Sequence, residues 1–314
     1  MKKIATRDAY GEALVELGRE NPDVVVLDAD LAKSTKTIEF AKHFPERFFD
    51  MGIAEQNMIG TAAGLAAAGK IPFCSTFAIF ATGRAFEIIR NSVAYSRLNV
   101  KIAASHAGIT VGEDGGSHQS VEDIALMRSL PNMTVFVPAD AVETRAAVRA
   151  AVDIRGPVYI RLGRPGVPVL HGDNFHFEPG RAVTMREGGD ATIIATGIMV
   201  ATALEAAGLL EQEGISVRVL DMHTIKPLDE EAVIAAARET GIIVTAEEHS
   251  IIGGLGGAVA EAVCESYPVP VYRVGVPDVF GESGKPGELL EKYGLTAGHL
   301  AARVREAVKG RQAR

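Results

Sequence analysis

The chain has 314 residues, 47% hydrophobic and 23% charged, with 33 glycines, 14 prolines, no tryptophan and a formal net charge of −8. That length holds two domains of ordinary size with a substantial core, and the acidic balance excludes a nucleic-acid footprint. The two cysteines, Cys74 and Cys264, lie among small or apolar neighbours, which excludes a disulfide framework and reads as a reducing, cytoplasmic protein.

At the amino end Arg7, Asp8 and Glu12 interrupt any apolar run, so neither a signal peptide nor a membrane span is expected. Short β-branched runs then alternate with helical stretches. Strands are predicted at 23–30, 71–76, 99–105, 133–140 and 157–163. Helices fall between them at 7–20, 55–68, 79–96, 120–129 and 140–153. The 55–68 helix carries small and apolar residues all round, the pattern of a helix buried on most faces. From 166 to 188 prolines and turn formers replace the periodicity, so this stretch reads as a linker. A second series follows, with strands at 191–197, 216–222, 241–248 and 270–276 and helices at 199–213, 229–239, 255–267, 286–293 and 296–308. The terminal KGRQAR is expected to fray. The fold class is therefore α/β, with two doubly wound sheet domains at 1–165 and 189–314 joined by the 166–188 linker.

Open α/β sheets bind ligands beyond the carboxyl ends of their strands. Asp28 and Asp30 end the first strand, His106 follows the third, and Arg161 and Arg164 close the fifth. The densest chemistry is 105-SHAGITVGEDGGSHQS-120, which holds His106, His118, Glu113 and Asp114 among four glycines. Imidazoles and carboxylates move protons near neutral pH, and glycine lets backbone approach a ligand. Glu55 opens a nearly apolar helix, where it serves either as an N-terminal charge or as a carboxyl facing a buried cleft. Phe77 and Phe80, three residues apart, suit core packing or a stacking wall for a flat heteroaromatic ring. Arg7, Ser34, His106, Arg161 and Arg164 supply donors fit for a phosphate monoester.

Several motifs are missing: a G-x-G-x-x-G turn, a GxxxxGK[ST] loop and any Cys/His metal spacing. The 253-GGLGG-257 run reads as a tight strand-to-helix connection, with Glu247 and His249 before it structural or interfacial.

Taken together, 27-LDADLAKS-34, 52-GIAEQNM-58, 75-STFAIF-80, 104-ASHAGITVGEDGGSHQSVED-123, 130-LPNMTVFVPAD-140 and 156-GPVYIRLGR-164 resemble the transketolase family of thiamine diphosphate enzymes. The resemblance implies a pyrimidine-binding domain followed by a transketolase C-terminal domain. The family's GDG…N pattern for the diphosphate and Mg²⁺ does not occur, so the chain resembles the carboxyl half of a split transketolase. It implies a separate N-terminal subunit carrying the Mg²⁺ ligands, with two copies of each subunit, and no role for nucleic acid or membrane.

By that resemblance Glu55 pairs with N1′ of the pyrimidine, Phe77 and Phe80 form its pocket, and Asp30 lies close to the cofactor. His118 and Asp114 face the sugar hydroxyls, with His118 moving a proton. Arg7, Ser34, His106 and Arg164 meet the phosphate end of a phosphosugar, with Arg161 the alternative to Arg164. The implied activity moves a two-carbon ketol unit from a ketose to an aldose. A 2-oxo acid dehydrogenase beta subunit has this size but lacks the GEDG-x-x-HQ-x-VE string, and a non-catalytic partner would have no reason to keep Glu55.

Overall fold

The near-continuous apolar run 24-VVVLD-28 has no polar face to present to water, so it becomes a strand covered on both sides. The computed structural model of the chain describes residues 2–172 and 174–312. Its strands are β1 (Lys3–Ala5), β2 (Val24–Asp28), β3 (Phe48–Asp50), β4 (Ile71–Ser75), β5 (Lys101–Ala104), β6 (Thr134–Phe136) and β7 (Val158–Arg161). They continue as β8 (Gly166–Pro168), β9 (Val183–Arg186), β10 (Ala191–Ala195), β11 (Val217–Asp221), β12 (Thr224–Lys226), β13 (Ile243–Ser250) and β14 (Val271–Val276).

A seven-stranded sheet takes the order β12-β6-β7-β5-β4-β2-β3 and a five-stranded sheet the order β14-β13-β10-β11-β9. Both are parallel except at one edge, where β12 runs antiparallel to β6 and β9 antiparallel to β11. Helices pack on both, as the α/β reading expects. One buried apolar cluster runs through both halves, from Leu27, Met58 and Ile59 to Ile194, Leu220 and Val259. The halves therefore share a core and do not meet merely at a wet interface.

The structure corrects several expectations. The 166–188 stretch is not all linker: β8 pairs antiparallel with β1, and β9 edges the second sheet. β12 comes from the second half of the chain yet joins the first sheet. These strands span three or four residues, too few for a period of two to register, and their partners are remote in sequence. The 79–96 helix is broken into wide π-type turns at Phe80–Arg84 and Ile89–Ala94 around a short α-helical step. The helix expected from 120 begins at Asp123.

The Glu55–Ala67 helix is buried through Glu55, Met58, Ile59, Ala62 and Ala63, while Gln56, Asn57, Gly60 and Gly64 are exposed, so one face stays open. The last helix, Ala297–Gln312, does not fray at 309–312: Arg311 Nη1 donates to the Thr240 carbonyl at 2.5 Å. The last two residues of the tail lie outside the described residues. Among the described residues no helix is long and apolar enough to cross a membrane.

Candidate active site

The carboxyl ends of β2, β4 and β5 converge on one edge of the first sheet, and the candidate groups gather there. Asp28 ends β2 and is buried. It accepts the Leu31 N–H at 2.6 Å, the Thr35 hydroxyl at 2.6 Å and the Thr37 hydroxyl at 2.8 Å. Burial raises the Asp28 carboxyl above its usual range, and the three donors hold it in place as the anchor of the 28–37 turn. That turn presents the Ser34 carbonyl, to which Arg7 Nη1 donates at 3.0 Å.

The same Arg7 nitrogen lies 3.1 Å from His106 Nε2. A guanidinium can only donate, so Nε2 accepts and the ring proton sits on Nδ1, facing Ser105 Oγ at 2.9 Å. Burial first, then the charges of Arg7, Arg164 and His118, lower His106 to about 3, so the ring is neutral at neutral pH. His106 adopts a left-handed φ of 57°, a strained conformation for a residue with a Cβ. In that posture its ring stacks on Phe77 with centroids 3.8 Å apart.

Phe77 stacks in turn on Phe80 at 5.8 Å, and His118 stands edge-on to both rings, at 6.1 Å and 5.4 Å. Phe77 lies ahead of the π-type turn and not on a shared helical face; its backbone bridges to Ser105. The wall forms all the same. Glu55 is 2% exposed, with Oε1 held by Arg84 Nη1 at 2.7 Å. Glu55 Oε2 is buried without a hydrogen-bond partner. The Arg84 guanidinium also lies 4.6 Å over the Phe80 ring, so one side chain ties carboxylate and aromatic wall together. Sequence reasoning missed Arg84; its place four residues after Phe80 is the signal that could have found it.

The 105–120 loop is held both from within and by the second half of the chain. Gln119 Nε2 donates to the Ile109, Gly112 and Glu282 carbonyls at 3.2, 3.3 and 2.9 Å. Ser117 Oγ sits 3.0 Å from His118 Nδ1. Arg164 donates to the Val111 carbonyl and lies 3.6 Å from Asp114 and 3.7 Å from Glu113.

Arg161 does not share this surface and is corrected here. It is buried, its Nε donates to Asp123 at 2.8 Å, and its Nη2 donates to the Glu248 carbonyl at 2.8 Å. Burial alone would raise the Asp123 carboxyl, yet Arg161 holds it below its usual range. Asp30, exposed two residues beyond β2, has a left-handed φ of 61°, and its backbone N–H donates to Asp50 at 3.2 Å. No side-chain contact joins it to the other candidates among the described residues. The glycine run after β13 holds no external anion: Glu247 itself accepts the Leu255 and Gly256 N–H groups at 2.7 and 2.8 Å. His249, as expected of a structural residue, accepts the Ala125 N–H at 3.3 Å.

These features define the class: an α/β protein whose first sheet gathers a buried carboxylate, stacked aromatic rings and a cationic cluster at the carboxyl ends of its strands. Residues 2–169 match the family model for the transketolase pyrimidine-binding domain, and residues 180–300 match that for the transketolase C-terminal domain. A solved structure described as a split gene transketolase, inactive β4 tetramer, superposes with a TM-score of 0.91 at 63% identity, covering 98% of this chain and 99% of that one. A chain of Methanocaldococcus jannaschii assigned as a transketolase C-terminal section is 52% identical, covering 96% of each. The 6-deoxy-6-sulfo-D-fructose transketolase subunit of a Clostridium species is 48% identical, covering 96% of this chain and 94% of that one. The chain belongs to the transketolase family, whose members depend on thiamine diphosphate.

Proposed function

We propose that this chain is the C-terminal subunit of a split transketolase. It would bind the aminopyrimidine of thiamine diphosphate and a sugar with an anionic end, and act with a separate N-terminal subunit that holds the diphosphate and Mg²⁺. The observation that carries the reading is Glu55 Oε2, buried and unpartnered, with its carboxylate tied through Arg84 to the stacked Phe77–Phe80 pair. A buried polar atom left without a partner is costly, and a pyrimidine nitrogen is a partner of the right chemistry.

When bound, the cofactor supplies a nucleophilic carbon and an electron sink for breaking and remaking a ketose C–C bond. Glu55 would meet the pyrimidine nitrogen through Oε2 and could exchange a proton there, while Arg84 keeps its other oxygen fixed. Phe77 and Phe80 would stack on the ring and exclude water, and Asp30 would lie close to the cofactor. His118, with Nδ1 facing Ser117, has Nε2 free to exchange a proton with a sugar hydroxyl. Asp114 accepts a neighbouring hydroxyl. Arg7, Arg164 and Ser34 would bind the sugar's anionic end, a phosphate foremost, with neutral His106 beside it holding Arg7 through Nε2. The sulfonated ketose in the name of the Clostridium relative supports an anionic terminus and ketol transfer over 2-oxo acid chemistry. Ile53, 78% exposed, and the open face of the Glu55–Ala67 helix suit a surface covered by another subunit.

Calorimetric titration of thiamine diphosphate with and without the candidate N-terminal subunit tests this. Weak binding alone and tight, Mg²⁺-dependent binding by an assembly with two copies of each subunit is expected. Tight binding by this chain alone would overturn the split site. Assays of the pair on ketose and aldose phosphates, with a sulfonated ketose alongside, identify the substrate.

A further inference from the structure

A second buried cluster, made of residues not used above, draws on both halves of the chain. Asp140 caps the helix Ala141–Asp153, Glu143 lies in its first turn, His171 comes from the stretch between the sheets, and Asp221 ends β11. One ligand atom from each of Glu143, His171 and Asp221 lies within 4.8 Å of the other two. Glu143 and Asp221 are fully buried and the His171 side chain is 4% exposed. Yet Glu143 Oε1, His171 Nε2 and both carboxylate oxygens of Asp221 have no hydrogen-bond partner. Four of the buried unpartnered atoms thus belong to three neighbouring side chains, a concentration that calls for a ligand.

The surroundings prepare these atoms as donors to a cation. Asp140 Oδ2 lies 3.1 Å from His171 Nδ1 and also accepts the Leu170 and His171 N–H groups at 2.6 and 2.8 Å. A carboxylate so placed keeps the ring proton on Nδ1 and turns the Nε2 lone pair toward Asp221 Oδ2, 3.5 Å away. Glu143 Oε2 accepts the Ala139 N–H at 2.6 Å, which leaves Oε1 to point inward. Tetrahedral coordination at about 2.0–2.2 Å sets donors roughly 3.4 Å apart, so small rotations of two carboxylates bring three donors to that spacing, with the second Asp221 oxygen or a water for the fourth position. One imidazole nitrogen with two carboxylates balances a dipositive charge. The imidazole and the dry surroundings favour zinc over Mg²⁺, which prefers oxygen ligands and retained water.

We propose that Glu143, His171 and Asp221 form a structural zinc site that staples the first domain's helix, the connecting stretch and the second sheet. It is independent of the cofactor cleft and of the reading given above. Its ligands are 28 and 50 residues apart in sequence, which no local spacing motif detects.

The full chain, stripped with a chelator and desalted without thiamine diphosphate or Mg²⁺, is incubated with zinc chloride, desalted again and assayed by plasma mass spectrometry. Retention of a single zinc per chain and a melting temperature raised by several degrees are expected. Cobalt(II) in its place should give visible absorption bands of a low-coordinate site. Asp221→Asn and His171→Gln should lose both the retained zinc and the thermal shift. Because Asp221→Asn also removes a buried charge, the metal-free variant should melt no lower than the metal-free native chain, which separates metal loss from misfolding. A native chain that retains no zinc, or variants that retain it as well as the native chain does, would overturn the proposal.

Discussion

Glu248, near the end of β13, accepts the backbone N–H of Thr110 at 2.6 Å, so a carboxylate of the second sheet holds the loop that carries Asp114 and His118. Burial raises the Glu248 carboxyl, opposed by Arg161 and by the Thr110 N–H. The contact requires a glycine beside it: a Cβ on Gly108 would stand 2.2 Å from the Glu248 carboxyl carbon, at a φ of +78°. Gly108→Ala should therefore push the loop off its brace. A stability loss of about 1–3 kcal/mol and at least a tenfold fall in kcat/KM with the partner subunit are expected. Thermal melts and steady-state kinetics measure both, and unchanged kinetics would show that the brace does not position the loop.

Glu55→Gln keeps the Arg84 contact and the volume but removes the exchangeable acid. Turnover by the reconstituted enzyme should fall by roughly 10²–10⁴ while assembly, read by size-exclusion chromatography, stays intact. Near-normal transfer rates in this variant would end the assignment of Glu55.

His106 gives a prediction in pH. Its folded value is lowered to about 3 from the ordinary 6.5, so the unfolded chain takes up a proton that the folded chain refuses. The stability it contributes is complete above pH 6.5 and is lost as pH falls toward about 3. Denaturant titrations across that window should show the native chain losing its advantage over His106→Asn as pH drops. The lost Phe77 stacking adds an offset independent of pH, so a constant gap would mean that His106 does not titrate in this way.

Much of this was readable before the fold. Long apolar runs such as 24–28 and 191–195 could only be covered strands, while Glu55 ahead of an apolar helix left open a terminal charge or an inward carboxyl, and the side chain is buried. The rest depended on distance. β1, β3, β8, β9 and β12 are too short to carry a period and exist because remote strands pair with them. The open face of the Glu55–Ala67 helix was hidden because Gly and Ala suit a buried and an exposed position alike. Arg161 and Arg164 were indistinguishable because β7 is buried on both faces, so alternation along it says nothing about which arginine turns inward.

Those two arginines now separate cleanly by experiment. Arg161→Met leaves the Asp123 carboxylate buried beside Tyr159, whose hydroxyl donates to it at 2.7 Å, and removes the donor to the Glu248 carbonyl. Breaking one side of a buried ion pair costs about 3–5 kcal/mol. Arg161→Lys should recover little, since an ammonium cannot span Asp123 and the Glu248 carbonyl as the planar fork does. Adding Asp123→Asn to Arg161→Met should restore part of the loss by removing the stranded charge. Arg164→Met, at a half-exposed position, should change stability by no more than about 0.5 kcal/mol yet raise KM for phosphorylated sugars at least tenfold, with little change for unphosphorylated ones. Denaturation and KM measured on all four variants distinguish the roles, because a shared function would move both quantities together at both positions.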